Sequence, residues 1–264
     1  MPFSIESKLN HFREQGYVKL GRLINLHTLY DMKRRADAIM MGIVKHREFK
    51  YQRIYEGDYE RRGLQETKGH KGDTFNYRKI TGLEHDSVFK YLVMNPYIYD
   101  VIQPLFEGSV SVYRAVIINK PVGSKEYLPW HQDNPTAQRW DLNSTKAYFI
   151  WTPLDNATID SGCLHVIPQS HKRGTWGKDH FPTEEEIEDY HFEKNKVSLE
   201  MSAGESVLVN NLTMHKSDIN ITDKPRRAFS CCYISSKVQN TNTWKTYPEV
   251  IRGHHESHYR NTVS

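Results

Sequence analysis

The sequence predicts a mainly β fold with α, a sandwich or barrel buttressed by N-terminal helices. Three observations lead there. Apolar residues recur at helical spacing through much of the first hundred positions. From Ser109 onward they gather instead into short β-branched and aromatic runs. Turn sequences such as Pro-Val-Gly, Asp-Ser-Gly, Ala-Gly-Glu and Thr-Asp-Lys-Pro separate those runs.

Ser4 can cap a first helix that carries Ile5, Leu9 and Phe12 on one face, and Gly16 ends it before a short strand, YVKL. From Asn25 to about Met41, Leu26, Leu29, Met32, Ala36 and Ile39 again have helical period, with Lys and Arg on the other face. Such helices are expected to pack on the outside of a sheet. Residues 46 to 76 are charged, Tyr-rich and Gly-punctuated, with no sustained period, and are expected to form a long substrate lid. Helical signals resume in HDSVFKYLVM, capped by Asp86, and in PYIYDVIQPLF, with Pro96 in its first turn.

The strand candidates are SVYRAVIINKP, TKAYFIWTPL, GCLHVIP, VSLEMSAGESVLVNN, MHKS and RRAFSCCYIS, about eight strands once divided at their turns. The acidic TEEEIEDY reads as a short surface helix, and residues from about Thr241 as an irregular tail. At 264 residues, one domain is expected: 1–108 helices and lid, 109–236 β core, 237–264 tail.

A formal charge of +4 without a block of like charges points away from a nucleic-acid arm and leaves anionic small molecules as partners. Cys163, Cys231 and Cys232 are odd in number and two are adjacent, which suits buried thiols in a reducing compartment. The polar N-terminus does not read as a signal peptide, and no apolar run approaches the ~18 residues of a membrane span. The expectation is a cytoplasmic protein, monomeric or a weak homo-oligomer, acting on a small molecule.

The chemistry centres on YLPWHQDNP. His131 and Asp133 lie two apart in an extended context, so their side chains leave one face together and could meet one metal ion. His215, after the apolar run VLVNN, is the third candidate. Two histidines and one carboxylate with open positions form the facial triad of a non-haem Fe(II) oxygenase, whereas zinc prefers a closed tetrahedral site or a hydrolytic water. Arg226 and Arg227 follow eleven and twelve residues after His215. In a hairpin they would run back beside the His215 strand, where a guanidinium could hold a carboxylate by two parallel bonds. Strand alternation lets only one of them point inward, and the small companions Ala228 and Ser230 favour Arg226.

With these residues in view, the chain is similar to the phytanoyl-CoA dioxygenase family of Fe(II)- and 2-oxoglutarate-dependent oxygenases. The similarity runs through the opening helix and Gly-Tyr-Val, the INKP strand end, WHQD, WTPLDNATIDSGCLHVIPQSHKRG and MHKSDINITDKPRRAFSCCY. It implies a double-stranded β-helix, a cupin-like jelly-roll, with substrate entering at the open end. It further implies His131, Asp133 and His215 as iron ligands and Arg226 as the arginine that binds 2-oxoglutarate. Ser217 would support that carboxylate, with Lys79 and Trp151 also at the cosubstrate. Fe(II), 2-oxoglutarate and O₂ are the implied cofactor and cosubstrates, and succinate and CO₂ the implied by-products. Related halogenases have a small residue where Asp133 stands, so oxidation without halide is expected.

The substrate is expected to be a small polar metabolite, contacted by Tyr55 and Arg61 from a lid that offers polar and aromatic groups in place of an apolar stripe. Arg114 could face a substrate anion or the sheet exterior. An acyl-CoA thioester is the alternative substrate, and a catalytically silent metabolite-binding protein on the same fold is the alternative class.

Overall fold

α1 (Ile5–Gln15) starts where the Ser4 hydroxyl accepts the Ser7 N–H, and it ends at Gly16, whose φ of 83° is left-handed. A Cβ at Gly16 would lie 2.4 Å from Thr213 Oγ1 and 2.5 Å from His171 Nδ1, so glycine is needed for both conformation and space. The helix docks through Leu9 and Phe12, burial of each contributing about 2 kcal/mol. His171 lies beside this junction, its Nε2 3.1 Å from the Arg13 carbonyl.

The computed structural model describes residues 4–45, 51–55, 59–60, 65–66, 75–123, 127–133, 146–177, 180–238 and 247–250. After β1 (Tyr17–Arg22), α2 (Leu26–Met40) is capped by Asn25. β2 (Gln52–Tyr55), β3 (Tyr59–Glu60) and β4 (Gln65–Glu66) then precede β5 (Tyr77–Thr81), α3 (Ser87–Val93) and α4 (Pro96–Ile102). The β region comprises β6 (Val110–Lys120), β7 (Leu128–His131), β8 (Ala147–Pro153) and β9 (Leu164–Val166). α5 (Glu184–Asp189) and α6 (Phe192–Asn195) lead to β10 (Val197–Leu199), β11 (Glu205–Asn210), β12 (His215–Ser217) and β13 (Arg226–Ser235). Among the described residues no helix is long and apolar enough to cross a membrane.

The strands form a seven-stranded sheet, ordered β1-β11-β8-β13-β6-β5-β2, facing a four-stranded sheet, β10-β9-β12-β7. β8 and β13 are buried on both faces, and alternation sends their residues to two different cores. Tyr148, Ile150, Phe229, Cys231 and Tyr233 face the helices, while Phe149, Trp151, Ala228, Cys232 and Ile234 face the second sheet. The three cysteines are free and buried.

Three expectations are corrected. Residues 46 to 76 are not simply a loop, because β2 adds an edge strand to β5 and β3 pairs with β4; alternation over four residues is too short to register as a period. Arg61 lies outside the described residues, as does the side chain of Tyr55. The tail is not wholly irregular: Glu249 bridges Ser111, and the buried Val250 donates its N–H to the Val110 carbonyl at 2.7 Å. Finally, β12 and β13 are not a hairpin. β12 has both edges taken by β7 and β9, so the chain crosses at residues 218–225 to the facing sheet, where β13 inserts between β6 and β8.

The first turn of α3 carries a further tie. Asp86 is fully buried, caps Val88 N at 2.9 Å, accepts Arg35 Nε at 2.9 Å and accepts the Tyr51 hydroxyl. It joins α2, α3 and the residue before β2. Asp86→Ala removes a cap and charge-assisted bonds together and is expected to lower unfolding stability by about 3 kcal/mol. Urea denaturation checks this; an unchanged midpoint would contradict it.

Candidate active site

β7 and β12 pair antiparallel with His131 directly opposite His215, and their ring centroids are 4.1 Å apart. Each imidazole is fixed by a backbone carbonyl two residues earlier, His131 Nδ1 2.8 Å from Pro129 O and His215 Nδ1 2.9 Å from Thr213 O. A carbonyl accepts only, so Nδ1 carries the proton and Nε2 keeps a lone pair for a metal. Burial pushes the His131 pKa down to about 3, and the neutral form is the one that can ligate.

Asp133 completes the set, with the ligand atoms of His131, Asp133 and His215 all within 4.8 Å of one another. Burial alone would raise its pKa, but the nearby Arg114 guanidinium holds it well below the usual carboxylate range. Two imidazole Nε2 atoms and an ionised carboxylate on one side of a cavity fit Fe(II) and leave coordination positions open.

Gln132, between His131 and Asp133, points the opposite way and is 3 % exposed. Its Nε2 donates to Gly174 O at 2.8 Å and Leu212 O at 2.7 Å, and its Oε1 accepts Trp176 N at 2.9 Å. These bonds bolt the back of the segment that leaves β7, so that the neighbours of Gln132 face forward.

Arg114 reaches the same site, its Nη2 3.4 Å from Asp133 Oδ2. It is inward because of a bulge in β6. Cys232 opposes Arg114 and Tyr233 opposes Val112, leaving Tyr113 unmatched. The extra residue shifts the alternation, so that Arg114, Val116, Ile118 and Lys120 all line the cavity.

At the cavity's other end Arg226 is 2 % exposed, and its Nη2 donates to Ser217 Oγ at 3.2 Å. Ser217 in turn donates to Gly162 O at 3.0 Å. The guanidinium carbon lies 5.6 Å from the Trp151 ring centroid, and Nε is buried without a hydrogen-bond partner. Burial pushes the Arg226 pKa down to about 10. Arg227 faces the opposite side, bonded to Asp155 and Asp37. Lys79 lines the cavity from β5. Among the described residues, the cavity of about 200 Å³ therefore joins His131, Asp133, His215, Arg226, Ser217, Trp151, Lys79 and Arg114. Sequence reasoning missed Gln132 and Lys120. A polar residue between two candidate ligands was the available sign of the first; a charged residue at the end of the strand run AVIINK was the sign of the second.

The phytanoyl-CoA dioxygenase (PhyH) family model matches residues 12–228. The chain belongs to that family. A phytanoyl-CoA dioxygenase family relative, the peroxisomal phytanoyl-CoA dioxygenase of Mus musculus, is 30 % identical over 179 residues, covering 64 % of this chain and 52 % of the relative. The Arabidopsis thaliana phytanoyl-CoA dioxygenase is 31 % identical over 124 residues, 46 % of this chain and 42 % of its own. The chain thus spans about half the length of the curated relatives it matches. Among solved structures, EctD from S. alaskensis, determined with 2-oxoglutarate and 5-hydroxyectoine, superposes with a TM-score of 0.73 at 19 % identity, covering 95 % of this chain and 87 % of that one. The non-heme alpha ketoglutarate dependent carbocyclase SnoK gives a TM-score of 0.67 at 18 % identity, over 91 % and 89 %. These likenesses establish the jelly-roll fold expected of a phytanoyl-CoA dioxygenase family member.

Gln132→Ala removes no candidate ligand, yet it frees the segment at the end of β7 that presents two of them. Loss of such an outer support is expected to weaken metal binding about 10- to 100-fold. Calorimetric titration with Mn(II) measures the effect, and wild-type affinity in the variant would show that Gln132 does not position the site.

Proposed function

We propose that this chain is a non-haem Fe(II)- and 2-oxoglutarate-dependent dioxygenase that hydroxylates, or otherwise oxidises, a C–H bond of a small polar metabolite. The observation that carries the reading is one cavity holding the three convergent ligand atoms and the buried guanidinium of Arg226, with its Nε unpartnered. When bound, iron with 2-oxoglutarate and O₂ supplies the oxidising chemistry and yields succinate and CO₂.

The residues then divide the work. His131, Asp133 and His215 hold the metal, their orientation set by the Pro129 and Thr213 carbonyls and the Gln132 anchor. Arg226 takes the far carboxylate of the cosubstrate, aimed by Ser217 and walled by Trp151. Lys79 adds positive charge along the cavity wall. Arg114 and Lys120 are six residues apart on one strand face, so their backbones are separated by roughly 20 Å. Arg114 is thus at the metal end, away from the cosubstrate's far carboxylate, and is the residue to receive an anionic group of the primary substrate. Tyr55 and Arg61 are retained as candidate substrate contacts on sequence grounds.

A cavity of about 200 Å³ suits 2-oxoglutarate with the reacting part of a small molecule. The alternative, an acyl-CoA thioester, draws on the names of the phytanoyl-CoA dioxygenase relatives. Incubating the Fe(II)-loaded protein with 2-oxoglutarate, O₂ and a metabolite extract, and searching by mass spectrometry for a product heavier by one oxygen atom, tests the reaction and separates the two classes. Dependence on both 2-oxoglutarate and O₂ is expected. Oxygen-independent hydrolysis would contradict the reading. Once a product is found, Arg114→Gln is expected to raise the substrate's KM with 2-oxoglutarate affinity little changed.

The two arginines give a paired prediction. Arg226→Lys is expected to weaken 2-oxoglutarate binding by about tenfold or more, since an ammonium cannot form the two parallel bonds of a guanidinium. Arg227→Lys should lower stability through Asp155 and Asp37 and leave 2-oxoglutarate affinity intact. Anaerobic titration decides, and a larger affinity loss in Arg227→Lys would reverse the assignment.

A further inference from the structure

Lys120, the last residue of β6, is 6 % exposed and sits directly opposite Arg226 in the antiparallel ladder. Side chains at directly opposed positions leave the same face, with Cβ atoms about 5 Å apart. Both line the cavity. Like charges placed opposite one another repel, and burial penalises each charge separately. Among the described lining residues the one carboxylate is Asp133, which is engaged at the metal end with Arg114.

The surroundings hold these two cations together. Lys120 Nζ is 3.4 Å from the Ser217 carbonyl, and the hydroxyl of the same serine accepts Arg226 Nη2. Gly162 provides room for the lysine stem: a Cβ there would lie 2.9 Å from Lys120 Cδ and 2.3 Å from the Asp218 carbonyl. Asn220 Nδ2 donates to the Lys120 carbonyl at 3.0 Å and fixes the strand end. Two buried cations on opposed positions of one cavity wall, both beside Ser217, suit an anion with two oxygens.

Given the cosubstrate site proposed above, we infer that Lys120 is a second cosubstrate-binding residue, which with Arg226 clamps the far carboxylate of 2-oxoglutarate and makes the site selective for a 2-oxo dicarboxylate over a 2-oxo monoacid. Arg226 supplies the planar fork and Lys120 a point charge on the remaining lone pairs.

The probes are 2-oxoglutarate and 2-oxobutyrate, which lacks the far carboxylate, each titrated calorimetrically into Mn(II)-loaded protein without turnover. Lys120→Met is expected to lose about tenfold or more in 2-oxoglutarate affinity, the scale of one charge-assisted bond. Its 2-oxobutyrate affinity should change less than about twofold, so the selectivity between the two acids falls. Circular dichroism and Mn(II) affinity monitor folding, and Lys120→Gln carries the same expectation should the methionine variant fail to fold. Unchanged 2-oxoglutarate affinity, or equal loss of both ligands, would overturn the role of Lys120 while leaving the cosubstrate site standing. A wild-type protein that binds both acids equally, or neither, would overturn the site and Lys120's role together.

Discussion

The antiparallel pairing of β7 with β12 is the constraint on which the proposed chemistry depends. It sets His131 opposite His215 and leaves each Nδ1 against a backbone carbonyl, so both rings are positioned by main chain. Gln132 locks the same short strand from behind. The seven-stranded sheet is coupled to this pair through Ser217, which lies at the end of the His215 strand and accepts from Arg226 on β13. Metal end and carboxylate end are thus parts of one rigid frame, as a site built on strands requires.

Charge explains the placement of neighbouring residues with opposite fates. Arg226 and Arg227 are adjacent in sequence, yet one enters the cavity and the other joins Asp155, Asp37 and Lys33 on the outer face. The outer arginine is satisfied within the protein. The inner one keeps a buried Nε without a partner, a cost tolerated where a ligand is to arrive. Along β6 the cavity face begins with Arg114 and ends with Lys120, separated by Val116 and Ile118. The apolar middle keeps the two cationic ends apart.

Much of this was legible in the sequence because local spacing carried it. An i, i+2 pair in an extended segment declares a shared face; strand alternation allowed only one of Arg226 and Arg227 to point inward, and the small companions pointed to Arg226, which lines the cavity. Helix starts at Ser4, Asn25, Asp86 and Asn95 were marked by capping residues or by Pro96. What remained hidden depended on pairing between distant segments. The inward turn of Arg114 follows from an unmatched residue against β13, which β6 alone does not reveal. The partnership of Lys120 with Arg226 and the crossing of the chain between β12 and β13 are likewise facts of register. The strand character of β2 and the docking of residues 247–250 are supplied by the strand each one pairs with.

The central claim, that one frame binds Fe(II) and 2-oxoglutarate as neighbours, is tested most directly by thermodynamic linkage between the two. Anaerobic titrations would measure Fe(II) affinity with and without 2-oxoglutarate, and 2-oxoglutarate affinity with and without Fe(II). The account predicts that each ligand tightens the other by the same factor, since coupling free energies are reciprocal. Binding of the two with unchanged affinities, or binding of one ligand with none of the other under any condition, would contradict it.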